Sequence, residues 1–141
     1  MNNMDLARIW AAQDRPAGKG HNLSFSGPVL KSYATAIAQL VVDDGEACGA
    51  VLNATKYSLT TSRHQNYARH ALFRARVPYV ELDGIPRGEP ELIPAHNTKD
   101  WARNQVRRLL AACAGRPGDE VKKATEYAER LAAWFGLGKV V

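Results

Sequence analysis

A chain of 141 residues, 45% hydrophobic and 23% charged with a net charge of +5, has the size of one globular domain and can bury about two thirds of its unfolded surface. It has no apolar run near the ~20 residues of a membrane span, no internal repeat and no low-complexity tract, which argues against membrane-embedded, solenoid and disordered classes. The opening segment carries acids and an arginine within its apolar stretch and does not follow the pattern of a secretion signal, so a cytoplasmic protein without a membrane partner is expected.

In chain order, "NNMDLARIWAAQDR" predicts a short helix capped by Asn2 or Asn3, with Leu6, Ile9 and Trp10 on one side. "PAGKG" ends it. "NLSFSG" alternates and stops at Gly27-Pro28, "VLKSYATAIAQLVV" predicts one long strand, and "AVLNATKYSL" resumes after the turn-rich "DDGEACG". Three strands, antiparallel, follow from this, with Ser32, Ala34, Ala36 and Ala38 forming a small-residue face. Ser62-x-x-Gln65 matches a capping box and predicts a helix from Ser62. Its inward stripe is Ala68, Ala71, Leu72 and Ala75, with His64 falling in the same stripe; Arg63, Tyr67, His70 and Arg74 line the opposite side. "VPYVEL" reads as a fourth strand before an Asp83-Gly84 turn, and "GIPRGEPELIP" as a proline-rich loop. Two helices close the chain, from Asn97 or Thr98 to about Ala114 and from near Asp119 to Phe135, expected as an antiparallel pair.

The expected fold class is α+β, a small, mainly antiparallel sheet packed by helices and followed by a C-terminal antiparallel helix pair. We expect one domain over residues 1–141: an N-terminal helix over 1–20, the sheet and basic helix over 21–95, and the helical pair over 96–141.

The positive charge is concentrated. Residues 61–76 hold Arg63, Arg69, Arg74 and Arg76 without an acid, and residues 99–116 hold Lys99, Arg103, Arg107, Arg108 and Arg116 against Asp100 alone. Two basic helices suggest an anionic partner, most simply nucleic acid. Arg63, Tyr67, His70 and Arg74 supply phosphate contacts and a ring able to stack on a base, and Trp101, Arg103, Arg107 and Arg108 extend the surface. The alternative is a pair of solvated faces, with Tyr67 and Trp101 packed internally.

No histidine or cysteine spacing suits zinc, no glycine-rich phosphate loop is present, and Cys48 and Cys113 are read as isolated thiols, so neither metal nor cofactor is expected. An enzymatic alternative, nuclease or group transferase, would use Ser58, Thr60, Ser62 and His64, because a nucleophile and its base need hydrogen-bond reach. A third possibility is a protein–protein or homo-oligomeric module, with Tyr67, Trp101 and Trp134 in an apolar patch.

Two stretches carry a pattern: Ser32, Tyr33, Thr35, Ile37 and Ala38, then Asn53, Tyr57, Ser58, Thr60, Thr61, Ser62, His64 and Gln65. The pattern, Ser-Tyr-x-Thr-x-Ile-Ala followed by Asn-x-x-x-Tyr-Ser-x-Thr-Thr-Ser-x-His-Gln, resembles a group of small, mostly uncharacterised proteins of phages and archaeal viruses. Ala34 stands where glycine is expected and Ala36 where proline is frequent. The resemblance spans roughly residues 22–72 and implies a mobile-element setting, no established activity, and a defined site at the hydroxyl-His-Gln corner. The reading is non-catalytic binding of nucleic acid or of a host nucleoprotein complex, a counter-defence inhibitor being one concrete form.

Overall fold

The Asn2 side chain accepts a hydrogen bond from the Asp5 N–H and starts helix α1 (Asn3–Ala12), satisfying one of the donors that every helix start leaves open. Leu6, Ala7, Trp10 and Ala11 are buried from it, the i, i+4 spacing expected of a helix lying on a sheet. The computed structural model describes residues 2–43, 46–93, 104, 107 and 118–135. The chain divides into two compact units, Met1–Leu92 and Ile93–Val141.

In the first unit a six-stranded sheet runs in sequence order: β1 (Ala17–Lys19), β2 (Leu23–Ser26), β3 (Val29–Ser32), β4 (Thr35–Asp43), β5 (Glu46–Asn53) and β6 (Tyr79–Leu82). Neighbours are antiparallel except β5 and β6, which are parallel and are linked through helix α2 (Leu59–Arg74), the crossover that a parallel pair requires. The fold is α+β. Leu6, Trp10, Leu23, Phe25, Leu30, Ala38, Leu40, Leu52, Ala68 and Leu72 belong to one buried cluster that joins α1 and α2 to the sheet. Gln39, Val41, Val51 and Val80 are buried as well.

Several local expectations are corrected. The long strand is two, because the chain reverses at Tyr33 and Ala34, with Ser32 facing Thr35 in register and Tyr33 at φ 54°. The expected small-residue face therefore breaks: Ser32, Ala36 and Ala38 are buried and Ala34 is exposed. "AGK", expected to stop a helix, forms β1 and packs closely, since a Cβ on Gly18 would meet Phe25 and Leu6 at 2.6 and 2.7 Å. Cys48 lies in β5 rather than in a turn. The second helix starts at Ser58, not Ser62: the Ser58 side chain accepts from the Thr61 N–H, and Gln65 spends its amide on the carbonyls of Asn53 and Thr55.

In the second unit α3 (Gly118–Phe135) matches the helix expected from near Asp119 to Phe135, with Ala128, Leu131 and Ala132 buried. The preceding helix of the expected pair lies outside the described residues, apart from Asn104 and Arg107, which are helical.

Candidate functional site

The β3–β4 turn, the start of α2 with the residues leading into it, and the loop after β6 meet around a cavity of about 430 Å³. It is lined by Ser32, Tyr33, Ala34, Thr35, Tyr57, Ser58, Thr60, Thr61, Arg87 and Gly88. Five of these residues are serines or threonines, two are tyrosines, one is an arginine and none is acidic. The volume falls in the range of small-molecule sites, and convergent polar groups in such a concavity mark a binding site.

Each wall is held by buried polar residues. Asn53, fully buried, donates through Nδ2 to the Ala36 carbonyl (3.0 Å) and to the Tyr57 hydroxyl (2.9 Å), and accepts at Oδ1 from the Thr55 N–H (3.0 Å). Tyr57 passes its own proton to the Ile85 carbonyl at 2.6 Å, so its hydroxyl is engaged both as acceptor and as donor. The proline-rich loop after β6 is a strap tied to Thr55 and to β4. Ile85 N–H donates to Thr55 Oγ1, Gly88 N–H to Thr35 Oγ1, and Leu92 N–H to Gln39 Oε1; the Ala36 N–H donates to the Glu89 carbonyl. This strap sets the Arg87 guanidinium 5.8 Å from the centre of the Tyr57 ring, within cation–π range.

The floor is a hydroxyl chain leading to His64. Ser32 Oγ lies 2.7 Å from His64 Nδ1 and 3.1 Å from Thr61 Oγ1, and Ser58 donates to Thr61 Oγ1 at 3.2 Å. On the far side of the ring, Asn3 Nδ2 is 3.4 Å from His64 Nε2. The orientation of the Asn3 amide is fixed by the His21 backbone, which accepts from Nδ2 and donates to Oδ1, both at 2.9 Å. An amide donor therefore faces Nε2 at 3.4 Å, which favours a lone pair on that nitrogen, and on this contact the ring proton is assigned to Nδ1. His64 donates to Ser32. Burial holds His64 below the ordinary histidine value, with Arg63 and His21 adding in the same direction, so the ring is neutral at pH 7.

Of the residues singled out for catalysis, Ser58 and Thr60 line the cavity, whereas Ser62 and His64 do not; the hydroxyl nearest His64 is that of Ser32. Of those singled out for nucleic-acid contact, Arg63, His70 and Arg74 are exposed along α2. Tyr67 is half-buried against the core, its ring 6.2 Å from that of His64. Between α1 and α2 a narrow groove is lined by Met4, Arg8, Tyr67, His70, Ala71 and Arg74. Arg107 is exposed, and Trp101, Arg103, Arg108 and the Trp134 side chain lie outside the described residues. Arg69 is committed to Glu81 at 2.8 Å.

Sequence reasoning assigned no site role to Asn3, Ser32, Tyr33, Thr35, Tyr57, Thr61 or Arg87. Ser32, Tyr33, Thr35, Tyr57 and Thr61 stand in the two-stretch sequence pattern, which marks their corner without giving them a role, but nothing local points to Arg87, which arrives through the strap. Among the described residues, no group of three or more His, Cys, Asp or Glu is placed to hold a metal ion, and no helix is long and apolar enough to cross a membrane. No curated protein and no solved structure matches the chain. A family model does match, over residues 4–80, a span that covers α1 from Met4, all of α2 and the first five strands. The chain therefore belongs to a family of unknown function, DUF8033.

Proposed function

We propose that the protein binds nucleic acid, without catalysis, along the outer side of α2. The observation that carries this reading is the placement of Arg63, His70 and Arg74 on the exposed side of a helix with no acidic residue from Leu59 to Arg76. Arg69, the other arginine of α2, is drawn off to Glu81, and Arg8 of α1, across the groove from His70 and Arg74, pairs with Asp5 at 3.6 Å. Cations spaced along one side of a helix suit successive phosphates of a flexible strand, and a net positive chain favours encounter with polyanions. Arg107 and the basic residues around it extend the same chemistry in the C-terminal unit, in which a first helix antiparallel to α3 is part of the proposal. In the phage or archaeal-virus setting implied by the sequence pattern, the partner is a nucleoprotein complex of the host cytoplasm, and a counter-defence inhibitor is one form such a protein takes.

The test is binding of labelled single-stranded RNA, single-stranded DNA and duplex DNA across a salt series. Neutralising about three phosphates on a single strand gives a slope of log K against log salt of about −2, and Arg63→Ala/Arg74→Ala reduces its magnitude by about 1.4. No affinity for any of the three at low salt, or binding unchanged in the double variant, refutes the reading. Cleavage of a labelled strand that is abolished in His64→Ala would instead favour the enzymatic alternative.

A further inference from the structure

We infer that the cavity at the head of α2 binds a phosphomonoester whose organic part also bears a flat ring, in chemical terms a nucleoside phosphate, independently of the outer side of the helix. The lining holds a cation and no carboxylate. Arg87 makes a long hydrogen bond to the Tyr57 carbonyl (3.4 Å) and stands over the Tyr57 ring; no ion pair involves it among the described residues. An arginine in front of a concave hydroxyl surface, with its charge unspent, is the arrangement that bidentate phosphate recognition uses.

The floor has a donor to spare, and proton counting shows it. Ser32, Thr61 and Ser58 bring three hydroxyl protons, but two O···O hydrogen bonds among them, Ser32 to Thr61 and Ser58 to Thr61, consume only two. A third would be absorbed if Ser32 donated to His64, yet the Asn3 amide puts the ring proton on Nδ1, so His64 donates to Ser32 instead. One hydroxyl proton, on Ser32 or Thr61, is therefore free to be donated into the cavity. Both side chains are more than nine-tenths buried and both line the cavity. Leaving such a donor unused is costly, and an acceptor oxygen in the cavity resolves it. Thr60, which lines the cavity, sits in the first turn of α2, where backbone N–H groups have no partner within the helix, and this reinforces that preference. Tyr33 and Tyr57 supply flat apolar surface beside the charged end, which selects a ring over a bare anion.

The experiment is calorimetric titration of the whole chain, at low salt, with adenosine 5′-monophosphate, uridine 5′-monophosphate, adenosine and inorganic phosphate, and with 5′-phosphorylated and 5′-hydroxyl forms of one short oligonucleotide. A charge-assisted hydrogen bond from Arg87 to a phosphate oxygen is worth about tenfold in affinity. At least one phosphorylated probe should bind about tenfold more tightly than both its dephosphorylated counterpart and inorganic phosphate, and Arg87→Gln should remove that advantage. Arg63→Ala/Arg74→Ala should leave mononucleotide affinity unchanged, so failure of strand binding on the outer side of α2 and failure of the cavity are read separately. Preference for the mononucleotides identifies a free nucleotide as the source, and preference for the phosphorylated oligonucleotide identifies a strand end. Adenosine binding as tightly as its monophosphate, inorganic phosphate matching the nucleotides, an unchanged affinity in Arg87→Gln, or no binding by any phosphorylated probe overturns the inference.

Discussion

Tyr33 sits at φ 54° in the two-residue turn between Ser32 and Thr35, a left-handed conformation that costs an L-residue about 1–2 kcal/mol. A bulky residue there is unusual enough to carry information about the site it lines. Replacing it by glycine and, separately, by alanine isolates that strain, because both variants remove the same ring, the same wall of the cavity and the same hydrogen bond from Asn22. In an ordinary extended or helical position alanine is the more stable of the two by roughly 0.5–1 kcal/mol, since glycine has more backbone freedom to lose. Here the left-handed penalty outweighs that difference, so Tyr33→Gly should be more stable than Tyr33→Ala by about 0.5–1 kcal/mol. Urea unfolding followed by circular dichroism, with equal m-values required of the two variants, measures the gap; a shift of about 1–4 °C in Tm accompanies it. Nucleotide affinity should fall in both variants alike. Alanine matching or exceeding glycine would refute the assigned turn geometry and, with it, the claim that the turn holds Tyr33 under strain at the cavity.

Asn53→Ala strips partners from the Ala36 carbonyl, the Thr55 N–H and the Tyr57 hydroxyl and should cost about 2–4 kcal/mol in urea unfolding, against about 1 kcal/mol for Tyr57→Phe. Equal costs would show that Asn53 is not the hub described. The His64 value is lowered in the fold from 6.5, so the unfolded chain binds the extra proton first. The stability contributed by neutral His64 is full above about pH 6.5 and declines as pH falls below it, with a slope of at most about 1.4 kcal/mol per pH unit. Subtracting the pH profile of His64→Gln from that of the native chain should reveal this slope, and coincident profiles would contradict it. Nitrogen-15 shifts of the His64 ring should report a neutral imidazole protonated at Nδ1; protonation at Nε2 would break the proton count in the cavity floor. A Cβ on Gly20 would collide with Asn3 Oδ1, so Gly20→Ala should lower stability by about 1–3 kcal/mol and speed amide exchange at His21, read by hydrogen exchange.

The helices were legible because their signals are local. The Asn2 cap, the Leu6–Trp10 spacing and the Ala68–Leu72 stripe are all readable within one or two turns. The β3–β4 hairpin was not, because "SYAT" contains none of the glycine, proline, asparagine or aspartate that usually marks a turn; the left-handed residue is a tyrosine, held there by tertiary contacts. β1 escaped notice for a similar reason, three residues between a proline and a glycine offering too short a pattern to read. The start of α2 was misplaced by four residues because Ser58 and Ser62 both carry a hydroxyl, and Gln65, the apparent partner of Ser62, is used 10 and 12 residues away in sequence. The cavity itself depends on contacts such as Gly88 to Thr35, 53 residues apart, which no window of sequence contains.

The same network that builds the cavity also bears on what its hydroxyls can do. A serine nucleophile needs a neighbouring base with a free lone pair aimed at its proton. Ser32 has the nearest imidazole, but the nitrogen facing it is the protonated one, because Asn3 holds its amide donor against the other. Reversing that assignment would require the Asn3 amide to turn over, and this would set amide donor against the His21 N–H and oxygen against the His21 carbonyl. Two hydrogen bonds at 2.9 Å therefore stabilise the orientation in which Ser32 receives a proton rather than surrenders one. The buried histidine, neutral and donating, orders a row of hydroxyls whose last proton is available to a ligand oxygen. That arrangement suits a site that holds an oxygen ligand in place, and it is the physical reason to favour binding over group transfer at this corner of the fold.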